Sequence, residues 1–144
     1  MIAVDTNILV YAHRRDSEWH AAAVAAVARA SSSSWAIPWP CIHEFVAIVT
    51  HKRIYDPPST RAQAIGQVDA WLESPTLTLL AEHDGYWMVL RSLLDSGRID
   101  GPRVHDARVA ALCIGHNVRE LWTADRDFGR FGALRTRNPL TTKS

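Results

Sequence analysis

Cysteine is almost missing from this chain. Only Cys41 and Cys113 occur in 144 residues, too few for a disulfide framework. Neither has a neighbouring cysteine at zinc-ligand spacing, and both fall inside helical patterns, so they read as reduced, buried thiols. Lysine is scarce as well: of 16 basic residues, all but Lys52 and Lys143 are arginine. No apolar stretch is long enough to span a bilayer and no signal-peptide pattern opens the chain, so a cytoplasmic protein is expected. No glycine-rich phosphate loop occurs, and the serine run 31–34 lacks the setting of a nucleophile elbow. The 7 histidines show no metalloprotease spacing. These absences exclude a membrane span, a disulfide scaffold, a zinc ribbon, a P-loop and a serine hydrolase.

What is present fits one folded domain over residues 1–144. Hydrophobic residues make up 47% and charged residues 22%, a globular balance, and the length suffices to bury a core. The net charge of +1 argues little for a polyanionic partner. Arginine in place of lysine argues more, because its planar fork pairs with phosphate and stacks on bases. A GC-rich genome would produce the same bias.

The elements alternate. Ile2 to Val4 reads as a strand, followed by a helix from Thr6-Asn7 through Tyr11 and an alanine-rich helix from Glu18 to Ala30. Trp35 to Ile37 is a second strand, stopped by Pro38 and Pro40, with a helix from Cys41 to Lys52 after it. Pro57-Pro58-Ser59 is expected to turn the chain and cap a helix carrying Ile65, Val68, Trp71 and Leu72. Thr76 to Leu80 is β-prone, Tyr86 to Leu94 helical, Val104 to Gly115 helical and Glu120 to Thr123 a strand. Leu134 to Leu140 is expected as a last edge strand. This spacing implies a parallel sheet with helices on both faces. Trp71 and Trp87 lie on apolar helical faces and are expected in the core, with Trp39 nearer the rim.

Four acids stand where such a sheet gathers carboxylates. Asp5 closes the first strand, Glu44 lies near the start of a helix, Asp106 sits in the first turn of another, and Asp125 follows the run Leu121-Trp122-Thr123. Strand ends and the helix starts after them share one rim, outside which ligands bind. Carboxylates converging there repel one another, and either take up protons or hold a cation. An oxygen-only site suits Mg²⁺ or Mn²⁺. Singly, each acid has a plainer reading: Asp5 as a helix cap, Asp125 and Asp127 as turn formers, Asp106 and Glu44 as solvated charges. Together, their coincidence on one rim favours a metal site acting on phosphate. His43 and His105 each precede a candidate ligand, and Arg14, Arg15, Arg126 and Arg130 are expected to flank the rim.

The opening Met1-Ile2-Ala3-Val4-Asp5-Thr6-Asn7 resembles that of PIN-domain ribonucleases, especially the VapC toxins of toxin–antitoxin pairs. The likeness continues through Ile42-His43-Glu44-Phe45, His105-Asp106-Ala107-Arg108 and Thr123-Ala124-Asp125-Arg126-Asp127-Phe128, in the family's order. The resemblance implies a three-layer α/β/α fold with a central, mostly parallel sheet. It also implies Mg²⁺- or Mn²⁺-dependent cleavage of transfer or ribosomal RNA, a homodimer and a VapB-type antitoxin. Asp5, Glu44, Asp106 and Asp125 match the family's acidic quartet. Asp127 is a further candidate ligand, and Thr6, Asn7 and Thr123 would orient the carboxylates. The chain has no basic tail to silence such a site itself: the stretch after Arg135 ends with the single Lys143, so inhibition is expected from a separate protein.

Three other readings remain. A degenerate PIN-like RNA-binding module would have lost one or more of these acids. A haloacid-dehalogenase-like phosphatase needs a second Asp where Asn7 stands and a well-placed lysine. A receiver domain needs an acidic pair near its first strand.

Overall fold

The computed structural model describes residues 1–141; the end of the chain with Lys143 lies outside the described residues. Five short strands, β1 (Ile2–Val4), β2 (Trp35–Pro38), β3 (Leu77–Leu80), β4 (Glu120–Trp122) and β5 (Thr136–Arg137), form one sheet in the order β3-β2-β1-β4-β5. All four pairings are parallel, with Ala3 opposite Ala36 on one side and Leu121 on the other. Ala3 and Val4 on the central strand are fully buried, as a sheet covered on both faces requires.

Six helices connect the strands: α1 (Thr6–His13), α2 (His20–Ser31), α3 (Trp39–Val49), α4 (Arg61–Leu72), α5 (Tyr86–Ser96) and α6 (Val104–Gly115). The path moves from β1 to β2 to β3 in one direction, then returns to place β4 on the other side of β1. Right-handed crossovers therefore put α1 to α4 on one face and α5 and α6 on the other. The packing follows: α1 lies on α2 and α3, α3 on α4, and α5 on α6. This is the expected three-layer α/β/α arrangement. Ala107, Ala110 and Ala111 on α6 are buried, and their small side chains let that helix lie close to its neighbours. Phe45, Trp35 and Phe128 fill the wider spaces, and the Trp35 indole donates to Ser74 Oγ at 3.0 Å. Both cysteines are buried and unbridged, as expected.

Some expectations need correction. Pro40 does not precede α3 but lies in its first turn, where its missing N–H would have had no partner. The cap of α4 is Thr60 rather than Ser59: Thr60 Oγ1 accepts from Gln63 N at 3.1 Å while Gln63 Oε1 accepts from Thr60 N at 2.8 Å. Ser59 is instead held by His13 and Arg14. The last strand shrinks to Thr136–Arg137 and ends just before the Asn138-Pro139 pair, where Pro139 has no N–H to offer a ladder. Trp71 is buried, but Trp87 is 59% exposed.

Candidate metal centre and active site

The chain reverses its direction of sheet building between β1 and β4, and the C-terminal ends of these two strands open a crevice. Asp5 follows β1, and Thr123 to Asp125 follow β4. Glu44 comes from the middle of α3 and Asp106 from the first turn of α6. All four acids line one cavity of about 570 Å³, together with His43, His105 and Arg108.

Asp5 is nearly buried and caps α1. Its Oδ1 accepts from Thr6 N at 2.8 Å, and its Oδ2 accepts from Thr123 Oγ1 at 2.8 Å. The Cys41 thiol points at Oδ1 from 3.5 Å, and Asn7 Nδ2 approaches Oδ2 at the same distance. Burial dominates these bonds and lifts the Asp5 carboxyl to about 6, with the charge of Glu44 adding to the rise. One side chain thus caps α1 and lines the acidic cavity.

Thr123 is the hub. Its Oγ1 donates to Asp5 and accepts from Asp125 N at 3.0 Å and Asn7 Nδ2 at 3.3 Å. Asn7 Oδ1 accepts from Ala124 N at 3.1 Å, so the ends of β1 and β4 are laced by side chains. Thr6 Oγ1 donates to Glu44 Oε2 at 3.2 Å. Thr6, Asn7 and Thr123 thus hydrogen-bond to Glu44, Asp5 and the Asp125 backbone.

The tightest acidic group is Asp106, Asp125 and Asp127, whose carboxylate oxygens lie within 4.8 Å of one another. Asp127 is exposed, and its backbone N–H is held by Asp125 Oδ1 at 2.8 Å. Asp5 and Glu44 share the cavity without joining this group. Partial burial, then the charges of Asp125, Asp127 and Glu44, raise the Asp106 carboxyl, and Arg130 opposes them only weakly. Anions held this close need protons or a cation. A set of hard oxygen donors from three separate carboxylates is suited to Mg²⁺ or Mn²⁺, so the residues fit a divalent ion.

The arginines divide differently from the expectation. Arg14 and Arg15 lie beyond the C-terminal end of α1, one helix length of about 12 Å from Asp5, and line another cavity. Arg14 pairs there with Asp16 at 2.6 Å and sits 4.2 Å over the Tyr55 ring. Arg126 lies beside Asp125 but on the β5 side. Arg108, not singled out from the sequence, lines the acidic cavity and reaches Glu82 at 3.5 Å. Its place three residues after His105 on α6 was the available signal, since that spacing puts both on one helical face. Cys41 likewise stands three residues before Glu44. Trp39 is 36% exposed and stacks on His43, with ring centres 6.1 Å apart.

Comparison with known proteins shows the family and the fold. A family model described as PIN domain matches residues 2–134. Ribonuclease VapC43 of Mycobacterium tuberculosis is 34% identical over 142 residues, covering 97% of this chain and 96% of that protein. The crystal structure of VapBC2 from Rickettsia felis bound to a promoter DNA fragment superposes with a TM-score of 0.68 at 22% identity, covering 96% of this chain and 98% of that one. Mycobacterium tuberculosis VapC20, described as a sarcin–ricin-loop-cleaving toxin, superposes with a TM-score of 0.69 at 14% identity, covering 92% and 95%. The chain belongs to the PIN domain family, within its VapC ribonuclease group.

Proposed function

We propose that this chain is a divalent-metal-dependent endoribonuclease, the toxin of a VapBC-type pair, hydrolysing phosphodiester bonds in transfer or ribosomal RNA. The observation that carries the reading is the meeting of Asp5, Glu44, Asp106 and Asp125 in one cavity, with three carboxylates of that rim at ligand distance from one another. The named VapC ribonucleases among its relatives supply the substrate class.

Asp106, Asp125 and Asp127 would hold the ion, with Asp5 and Glu44 completing the acidic wall. A bound Mg²⁺ or Mn²⁺ supplies Lewis acidity, activating water and offsetting charge on the phosphate. The chain's own work is positioning. Thr123 fixes Asp5 through its hydroxyl proton and Asp125 through its lone pair, so one side chain sets the relative placement of two acids. Thr6 holds Glu44 from the first turn of α1.

Among the described residues, the hydroxyls and the thiol next to the acids are not prepared as nucleophiles. The Thr6 and Thr123 hydroxyls point their protons at carboxylates, and burial pushes the Cys41 thiol far up. In this reading the attacking group is water rather than the RNA 2′-hydroxyl, and the products would carry 5′-phosphate and 3′-hydroxyl ends.

The acidic rim also fits the proposed regulation. A VapB-type antitoxin would silence it by placing Arg or Lys among the carboxylates, where charge-assisted hydrogen bonds replace the cation or the substrate. The working form would be a cytoplasmic homodimer. Among the described residues no helix is long and apolar enough to cross a membrane.

Induced expression tests the reading. The wild-type chain should arrest growth, co-expression of the neighbouring small protein should restore it, and sequencing RNA 5′ ends should show new ends at a few defined positions. A soluble, abundant and harmless wild-type chain would overturn the toxin assignment. RNA ends unchanged on induction would overturn the ribonuclease.

A further inference from the structure

A further, smaller cavity of about 350 Å³ adjoins the acidic one, and Asp125 is a wall of both. It lies over the C-terminal ends of β4 and β5 and is lined by Thr123, Arg126, Thr136, Arg137 and Thr141 among others. Its lining differs from its neighbour's: Arg126, Arg137 and three threonines stand beside Asp125 here, where the first cavity gathers four acids with Arg108.

The two arginines are held differently. Arg126 stands between Asp125 and Asp127 in the chain, yet among the described residues it pairs with neither. Those two acids are bound to each other through the Asp127 N–H and turned toward Asp106. Arg137 is steadied at one point only, its Nε lying 3.4 Å from Glu120 Oε1, which also accepts from the Trp122 indole at 2.7 Å. Its terminal nitrogens have no partner among the described residues. The Arg137 backbone is locked to the site, because its carbonyl accepts from Thr123 N at 2.9 Å. The notch is thus rigidly registered against the carboxylates: β4 and β5 are neighbours about 4.8 Å apart, and Thr123 serves both.

We propose that Arg126 and Arg137 form a subsite for the phosphate next to the scissile one in the RNA strand. This rests on the ribonuclease reading and assigns the side of the acidic cavity over which the strand passes. A strand bound at the carboxylates alone meets net negative charge. Two arginine forks one linkage away offset that repulsion, and each can grip a phosphate bidentately. Bound this way, the strand runs across the rim from the β1 end toward β5.

The test is the salt dependence of RNA binding by the full chain in EDTA, read by anisotropy of a labelled RNA oligonucleotide that the wild type cleaves. Log affinity falls against log salt by about 0.7 per phosphate contact for single strands. Arg126→Ala and Arg137→Ala should each flatten the slope, and the double variant should flatten it by about 0.7 in total, the share of one phosphate. Arg91→Ala, on the exposed face of α5, should leave it unchanged. Arg126 has no described partner to lose, so the single variant remains informative if Arg137→Ala folds poorly. A slope equal to wild type in Arg126→Ala and the double variant, or an equal drop in Arg91→Ala, overturns the subsite. Should the slope stay unchanged while rescue by the co-expressed neighbour is lost, the notch binds the protein partner instead. If wild type neither binds nor cleaves RNA, the ribonuclease reading falls too; if it cleaves normally and the slopes match, only the subsite falls.

Discussion

Replacing Asp5 by Asn separates what the site needs for chemistry from what the fold would prefer. The Asp5 carboxyl titrates near 3.8 in an unfolded chain and at about 6 when folded. A raised carboxyl is stabilising in its protonated form, so this contribution is fully present below the unfolded value. It is lost as pH rises from 3.8 through 6 and is absent above. At about 1.4 kcal/mol per pH unit, ionised Asp5 weakens the metal-free fold by about 3 kcal/mol at neutral pH, as an order of magnitude. The amide removes the charge and keeps the bond from Thr6 N. It returns part of the gain, because Thr123 Oγ1 already accepts from Asp125 N and Asn7 and would lose its own acceptor. That loss is about 1–2 kcal/mol. The net expectation for Asp5→Asn in EDTA is a fold more stable by about 1–2 kcal/mol at pH 8, a rise in Tm of roughly 3–8 °C, with RNA cleavage abolished. Thermal melts from pH 4 to 8 should show the variant less stable than wild type near pH 4, by the hydrogen bond it lost, with the order reversing between pH 4 and 6 and the advantage levelling off above 6. A difference in Tm independent of pH would refute the argument that buried charge is what Asp5 imposes on the fold.

Other outcomes follow from the same geometry. Millimolar Mg²⁺ or Mn²⁺ should raise the Tm of the wild type, since an ion bound only by the folded state stabilises it. The rise should shrink in Asp106→Asn and Asp125→Asn, and an equal response in a quadruple variant lacking Asp5, Glu44, Asp106 and Asp125 would contradict the metal centre. Thr123→Val keeps the side-chain shape but removes the hydroxyl shared by Asp5, Asn7 and Asp125. Cleavage should fall about 10–100-fold while the chain still folds, and activity within twofold of wild type would show that Thr123 does not position the acids.

The acidic centre was legible because each acid sits at a fixed place in a repeating grammar. Asp5 closes an apolar run, Asp125 follows another, and Asp106 opens a helix; a parallel sheet carries such positions to one rim. The β1 and β4 strands were readable because they are mostly buried and their composition follows it, and α6 because its second half is a buried apolar run. Other features depended on facts that local pattern does not hold. Arg14 is close to Asp5 in sequence, but a whole helix separates them and turns the nearness into distance. Trp87 stands in the apolar run Tyr86-Trp87-Met88-Val89-Leu90, and a helix of 3.6-residue period cannot turn all of them inward. Leu90 went in; Trp87 and Met88 stayed out. The cap of α4 was present as Thr60 and Gln63 at capping-box spacing, beside a Pro-Pro-Ser turn that offers a competing cap. Arg137 gave no sequence signal of a role in the site, because its position depends on the pairing of β5 with β4, a contact set by the whole sheet.

In the proposed function, the carboxylates meeting at the ends of β1 and β4 are the machinery of RNA cleavage. The most direct measurement is cleavage of a defined RNA by the purified chain in Mn²⁺ or Mg²⁺, with EDTA and with Asp106→Asn as parallel arms and the chemistry of the product ends recorded. Cleavage is expected in the metal arm alone, leaving 5′-phosphate and 3′-hydroxyl ends, with Asp106→Asn folded and inactive. Undiminished cleavage in EDTA, or by folded Asp106→Asn, or products with 2′,3′-cyclic phosphate ends, would contradict it.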